Sequence, residues 1–90
     1  MQKYVMTYIQ KLDINLYSEE MPVGDFEAEM LGAAKRTANE YLNQWFTDKK
    51  LKVCSKGEWT KDVKRGGQVR DFTVTTGEKP SKLIFILREA

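Results

Sequence analysis

The side chains best suited to recognition in this chain are cations. Lys61, Lys64, Arg65 and Arg70 gather around Gly66-Gly67, with Lys56 just upstream and the rings of Trp59 and Phe72 in the flanking stretches. A two-stranded ribbon with a basic tip can lie in a nucleic-acid groove while its lysines and arginines neutralise phosphates. Glycines at the tip let the backbone come close. Lys56, Trp59, Lys61, Lys64, Arg65 and Arg70 are therefore the candidate contacts to a nucleic acid or to another partner. Asp62 and Asp71 offset part of the charge, so a plain solvated hairpin is the competing reading.

Bond-making chemistry has little to work with. Histidine is absent, which removes the commonest general base, the usual zinc ligand and the partner of most serine or cysteine nucleophiles. Cys54 is the single cysteine, so an internal disulfide and a multi-cysteine metal site are both excluded. Lys52 and Lys56 flank it and would lower its pKa only if their charges sat close to the thiol. The acidic set Glu19, Glu20, Asp25, Glu27 and Glu29 resembles a cation site in composition alone. Glu27 and Glu29, two apart on a helix, would not face each other, and complementation of a helix dipole accounts for Asp25 and Glu27 without a metal. No glycine loop has a phosphate-binding spacing. The expectation is a protein that is not an enzyme, with no catalytic residue, no metal and no cofactor.

Ninety residues fit one domain with one modest core. The net charge is only +2, but it is unevenly laid out. Residues 1–47 carry four basic and seven acidic side chains, and residues 48–90 carry eleven basic and six acidic. No apolar run could span a bilayer and the start does not resemble a signal peptide, so a cytoplasmic location away from membranes is expected.

Positioning these side chains falls to one organising stretch, Asp25 to Asp48. Phe26, Met30, Ala33, Ala34, Ala38, Tyr41, Leu42, Trp45 and Phe46 recur in steps of three and four, the signature of an amphipathic helix over about 25–47. Asp25 is the expected N-cap, with Pro22 and Gly24 stopping the helix upstream. Gly32, Ala33 and Ala34 would form a narrow waist that a strand can approach closely. Tyr41, Leu42, Trp45 and Phe46 would form a wedge into the core.

Before the helix, Tyr4 to Leu16 alternates with period two. The even set (Tyr4, Met6, Tyr8, Gln10, Leu12, Ile14, Leu16) is expected inward, with a bend or bulge near Gln10-Lys11, or two shorter strands, because so long a strand is unusual. The first half reads as central and the second half as projecting toward an edge. After the helix, Leu51–Ser55, Trp59–Lys64 and Val69–Thr76 read as extended, with Gly66-Gly67 as a two-residue hairpin turn. Lys82–Arg88 is apolar without alternation, as in a strand buried on both faces, either central in the sheet or covered by a partner. The assembled expectation is an α+β fold: a single small domain, β-α-β-β-β, with a mostly antiparallel sheet and one long helix packed on one face. One helix leaves the other face uncovered, and that face would carry Thr7, Lys11, Thr73 and Thr75, with Val5, Ile9, Ile84 and Ile86.

No specific motif assigns a family. The general build, carried by the stretch Glu29-Met30-Leu31-Gly32-Ala33-Ala34-Lys35-Arg36 in one alanine-rich helix between a strand and a short meander, is similar to that of many small phage and mobile-element proteins, some anti-CRISPR proteins among them. The resemblance implies an accessory or inhibitory role and transfers no functional residue. Taken together, the expectation is a non-enzymatic binding module acting through protein–protein contacts, a second copy of itself being one candidate partner. Nucleic-acid binding by the basic hairpin over residues 59–74 is the alternative.

Overall fold

The alternation that starts near Tyr4 becomes β1 (Gln2–Asp13), the longest strand of a computed structural model that describes every residue from Met1 to Ala90. It is followed by β2 (Leu16–Tyr17), β3 (Met21–Ala28), α1 (Leu31–Asp48), β4 (Lys52–Lys56), β5 (Thr60–Asp62), β6 (Gly67–Thr75) and β7 (Ser81–Glu89). All seven strands join one antiparallel sheet. Its inner strands are β1, β7 and β6. β3 and β2 follow one another along the outer side of β1, and β4 and β5 do the same along β6. The α+β class and the single helix on one face are as expected. No helix is long and apolar enough to cross a membrane.

The helix begins six residues later than the periodicity implies. Residues 21–28 form a strand, with Asp25 paired to Val5 and Phe26 to Tyr4. The reason is local: Phe26 and Ala28 turn inward while Asp25 and Glu27 face solvent. Over so few residues a period of two and one of 3.6 select the same apolar positions. Pro22 sits at the start of an edge strand, where its missing N–H is tolerated. The N-cap is Met30, with extended backbone and no side-chain hydrogen bond, and no acidic residue lies in the first turn. Glu27 and Glu29 therefore precede the helix and do not occupy its first turn. At the other end Lys50 adopts φ 57°. Its N–H donates to the Thr47 carbonyl at 3.1 Å and the Leu51 N–H to the Phe46 carbonyl at 2.9 Å. These are the two bonds of a Schellman stop, made with lysine where glycine is usual.

Ala34, Ala38, Leu42 and Phe46, four residues apart, lie fully against the sheet. They meet Tyr4 and Met6 from β1, Phe72 and Val74 from β6, and Leu83, Phe85 and Leu87 from β7 in one cluster. The wedge at the helix end is core: Phe46 lies 4.9 Å from Phe72 and Trp45 lies edge-on to Tyr8 at 5.1 Å, ring centre to ring centre. Tyr41 sits at its margin, stacked on Phe26 at 5.6 Å. Gly32 is not part of a waist; it faces solvent, and a Cβ there would meet only Arg36. The tight approach of helix to sheet is at Gly24, where a Cβ would come within 2.8 Å of the Tyr41 ring.

The Gly-Gly pair is not a two-residue turn. Asp62 pairs with Gly67, leaving Val63 to Gly66 as the connection, and Gly66 supplies φ 73°. Gly67 belongs to β6 and abuts the Leu87 carbonyl, so no side chain fits there. β7 lies between β1 and β6, as its unbroken apolar run implies.

Candidate functional site

Register defines the face that the helix does not cover. Val5, Thr7, Ile9 and Lys11 on β1 align with Arg88, Ile86, Ile84 and Lys82 on β7. On β6, Val69, Asp71 and Thr73 align in turn with Ile86, Ile84 and Lys82. The residues expected on this face are there, but the face is not bare. Ile9 and Ile86 are as buried as the helix-side core.

Two segments provide that cover. The chain after β2 folds back so that Glu20 accepts a hydrogen bond from the Thr7 hydroxyl at 2.7 Å and a two-pronged contact from Arg88 at 2.6 and 3.1 Å. From the other side, the Arg65 carbonyl accepts from Arg88 Nε at 2.7 Å, and the Arg65 guanidinium lies 5.6 Å from the centre of the Tyr17 ring. Arg88 thus ties the two segments together over the middle of the sheet. The Arg88 hydrogen bond, then that of Thr7, lowers the Glu20 pKa from 4.5 to about 2. Arg88 is raised by the same hydrogen bond. Beside this tie runs a groove of about 700 Å³ walled by Tyr17, Lys64, Arg65 and Lys82 with Ile84 and Val69 on its floor. Asp71 pairs with Lys82 there at 3.3 Å.

The six candidate contact residues do not form one surface. Lys64 and Arg65 line this groove. Trp59 and Arg70 point the other way, toward the helix: Trp59 Nε1 and an Arg70 terminal nitrogen both donate to the Asn39 side-chain oxygen, at 2.8 and 2.6 Å. Arg70 Nε also donates to the Gly57 carbonyl at 2.7 Å, and its guanidinium stacks 4.9 Å from Phe72. Both groups therefore lock the β4–β5 connection to α1. Lys56 and Lys61 are exposed along the outer edge formed by β4 and β5.

What sequence reasoning missed is that the inward set loses its cover in the β1–β2 hairpin. Leu12, Ile14 and Leu16 continue the inward set in sequence, yet they are 55%, 81% and 55% exposed. Beyond Lys11 the strand pairs only with the two-residue β2, with a register shift between Lys11 and Asp13. Asn15 turns the chain at φ 59°. The hairpin runs out past both the helix and β7, so nothing remains to cover its apolar side chains. The signal was present in the length of the alternation, which exceeds what one helix can shelter.

No group of three histidine, cysteine or carboxylate side chains could hold a metal ion. Cys54 is exposed at a register shift in β4. The chain matches no protein-family model, no curated protein and no solved structure.

Proposed function

We propose that this protein is a small non-enzymatic binding module that engages a protein partner through the β1–β2 hairpin. The observation that carries this reading is the projecting set Leu12, Ile14 and Leu16: three large apolar side chains in water on one short hairpin. Single exposed apolar residues are ordinary, whereas a contiguous group marks an interaction surface. Burying such side chains against a partner is worth about 1.5–3 kcal/mol each before the costs of association. The test uses the whole chain as bait beside a variant carrying Leu12→Ser, Ile14→Ser and Leu16→Ser. A protein retained by the native chain and released by the variant, with both equally folded by circular dichroism, is expected. Equal retention by the two removes the hairpin from the interface.

Nucleic-acid binding is a second reading, favoured by Lys64, Arg65 and Lys82 around one groove beside the Tyr17 ring. It predicts that Lys64→Ala with Arg65→Ala weakens binding to all sequences and lowers the log–log salt slope by about one unit per lost phosphate contact. No retention of DNA or RNA at low salt dismisses it.

A further inference from the structure

The fold turns an asymmetry along the chain into one across the sheet. Residues 19–29, which run up to and along β3, hold five acidic side chains and no basic one. Residues 49–61, which run into and along β4 and β5, hold five lysines and one acid. β3 and β4 are the opposite outer strands, and each has a neighbour on one side only. Successive antiparallel steps from β3 through β1, β7 and β6 to β4 make these two edges run in the same direction.

An open strand edge offers unpaired backbone groups to another chain, and charge decides which chain can use them. Two β4 edges brought together would oppose lysine to lysine, and two β3 edges would oppose carboxylate to carboxylate. An acidic edge against a basic one has no such conflict. Asp25, Glu27 and Lys52 also project from the same, helix-free face: their register partners are Val5, Lys3 and Thr75. Within one molecule Asp25 finds only Lys3, at 3.5 Å, and both are exposed. On its helix side β3 meets the Tyr41 ring at Gly24 and Phe26, and the Tyr41 hydroxyl donates a long 3.5 Å hydrogen bond to the Asp25 carbonyl.

We propose that the partner for each edge is the other edge of a second copy of this chain, with β3 of one molecule lying parallel beside β4 of the next. The contact is heterologous, so it does not close on itself and grows as a continued sheet. It uses neither the hairpin apex nor the groove, and it stands independently of the function proposed above.

Sedimentation of the whole chain tests this at roughly 0.01 M salt, where charges act over about 30 Å, and at about 1 M, where they act over about 3 Å. Mass above that of one chain, rising with concentration and falling to one chain in high salt, is expected. Lys52→Glu with Lys56→Glu makes both edges acidic, and Asp25→Lys with Glu27→Lys makes both basic. Each variant alone should associate more than about tenfold more weakly, because like charges now meet. Mixing the two should restore association, since every contact between unlike variants is again acid against base. The hairpin serine variant should associate as the native chain does. A single-chain mass at low salt and high concentration overturns the proposal, as does a mixture that stays monomeric while both variants are folded.

Discussion

One alternation runs from β1 through the turn into β2, and its two ends meet opposite fates. Tyr4 and Met6 are buried under the helix, while Leu12, Ile14 and Leu16 project into water. Nothing in residue type separates them. The first half lies between β3 and β7 with α1 across it, whereas the last residues of the second half pair only with β2. A period of two says that one side of a strand is apolar; what lies over that side depends on elements far away in the chain. Ile9 adds a third case: it is buried on the opposite face, under the segment tied down by Glu20 and Arg88. One strand therefore samples three kinds of cover: a packed helix, a thin strap and none.

Truncations along β1 should rank accordingly. Met6→Ala opens a cavity between helix and sheet and should cost about 2–5 kcal/mol in urea unfolding, toward the upper end because rigid aromatic neighbours cannot close it. Ile9→Ala removes a similar volume beneath a segment held by a few polar contacts, so the strap can settle and the loss should fall near the lower end of about 2–5 kcal/mol. If Ile9→Ala matched or exceeded Met6→Ala, the strap would be as stiff a cover as the helix.

Glu20→Gln tests the strap itself. It keeps the shape but removes the charge that Arg88 binds, and should cost on the order of 1 kcal/mol, discounted because both side chains remain partly in water. Its pH dependence is more telling. The folded pKa of Glu20 is depressed, from 4.5 to about 2, so the native chain holds this stabilisation above pH 4.5 and loses it as pH falls toward 2. The stability difference between native and Glu20→Gln should shrink across that window. A difference that stays constant from pH 5 to about 2 would detach Glu20 from the strap.

Ile14→Ser should change unfolding free energy least, within about 0.5 kcal/mol, because no cover is lost. Its effect belongs to partner binding. A loss of more than about 1.5 kcal/mol would mean that the hairpin tip packs within the molecule after all, and the contrast between the two ends of the alternation would collapse.

The same distinction explains which elements were legible in advance. α1 from Leu31 onward was readable because four turns of apolar residues fit only one period, and β7 because an unbroken apolar run must be covered on both sides. β3 was not, since Phe26 and Ala28 satisfy two periods at once and Asp25 has the chemistry of a cap without being one. The end of α1 falls at Asp48, beside the expected 47, but its Schellman stop was not legible because the left-handed residue is Lys50 where glycine is usual. Among the candidate site residues, clustering around Gly66-Gly67 placed all six together, but neighbours on a strand point to opposite faces. Gln68 and Arg70 share the helix side while Val69 and Asp71 share the other. Arg70 and Trp59 consequently serve Asn39 and the helix, and Lys64 and Arg65 serve the strap and its groove.

By itself the sequence determined the class of fold, the helix that anchors it, the centrality of the last strand and the lack of histidine, since these follow from composition and from periods repeated over many residues. Tertiary structure alone decided that residues 21–28 pair as an edge, that Glu20 and Arg88 cover the second face, that Leu12 to Leu16 stand uncovered, and that the acidic and basic halves end on opposite sides of the sheet. Those outcomes depend on which distant strands become neighbours, and the free energy of that choice is shared among contacts too far apart along the chain for any local pattern to register.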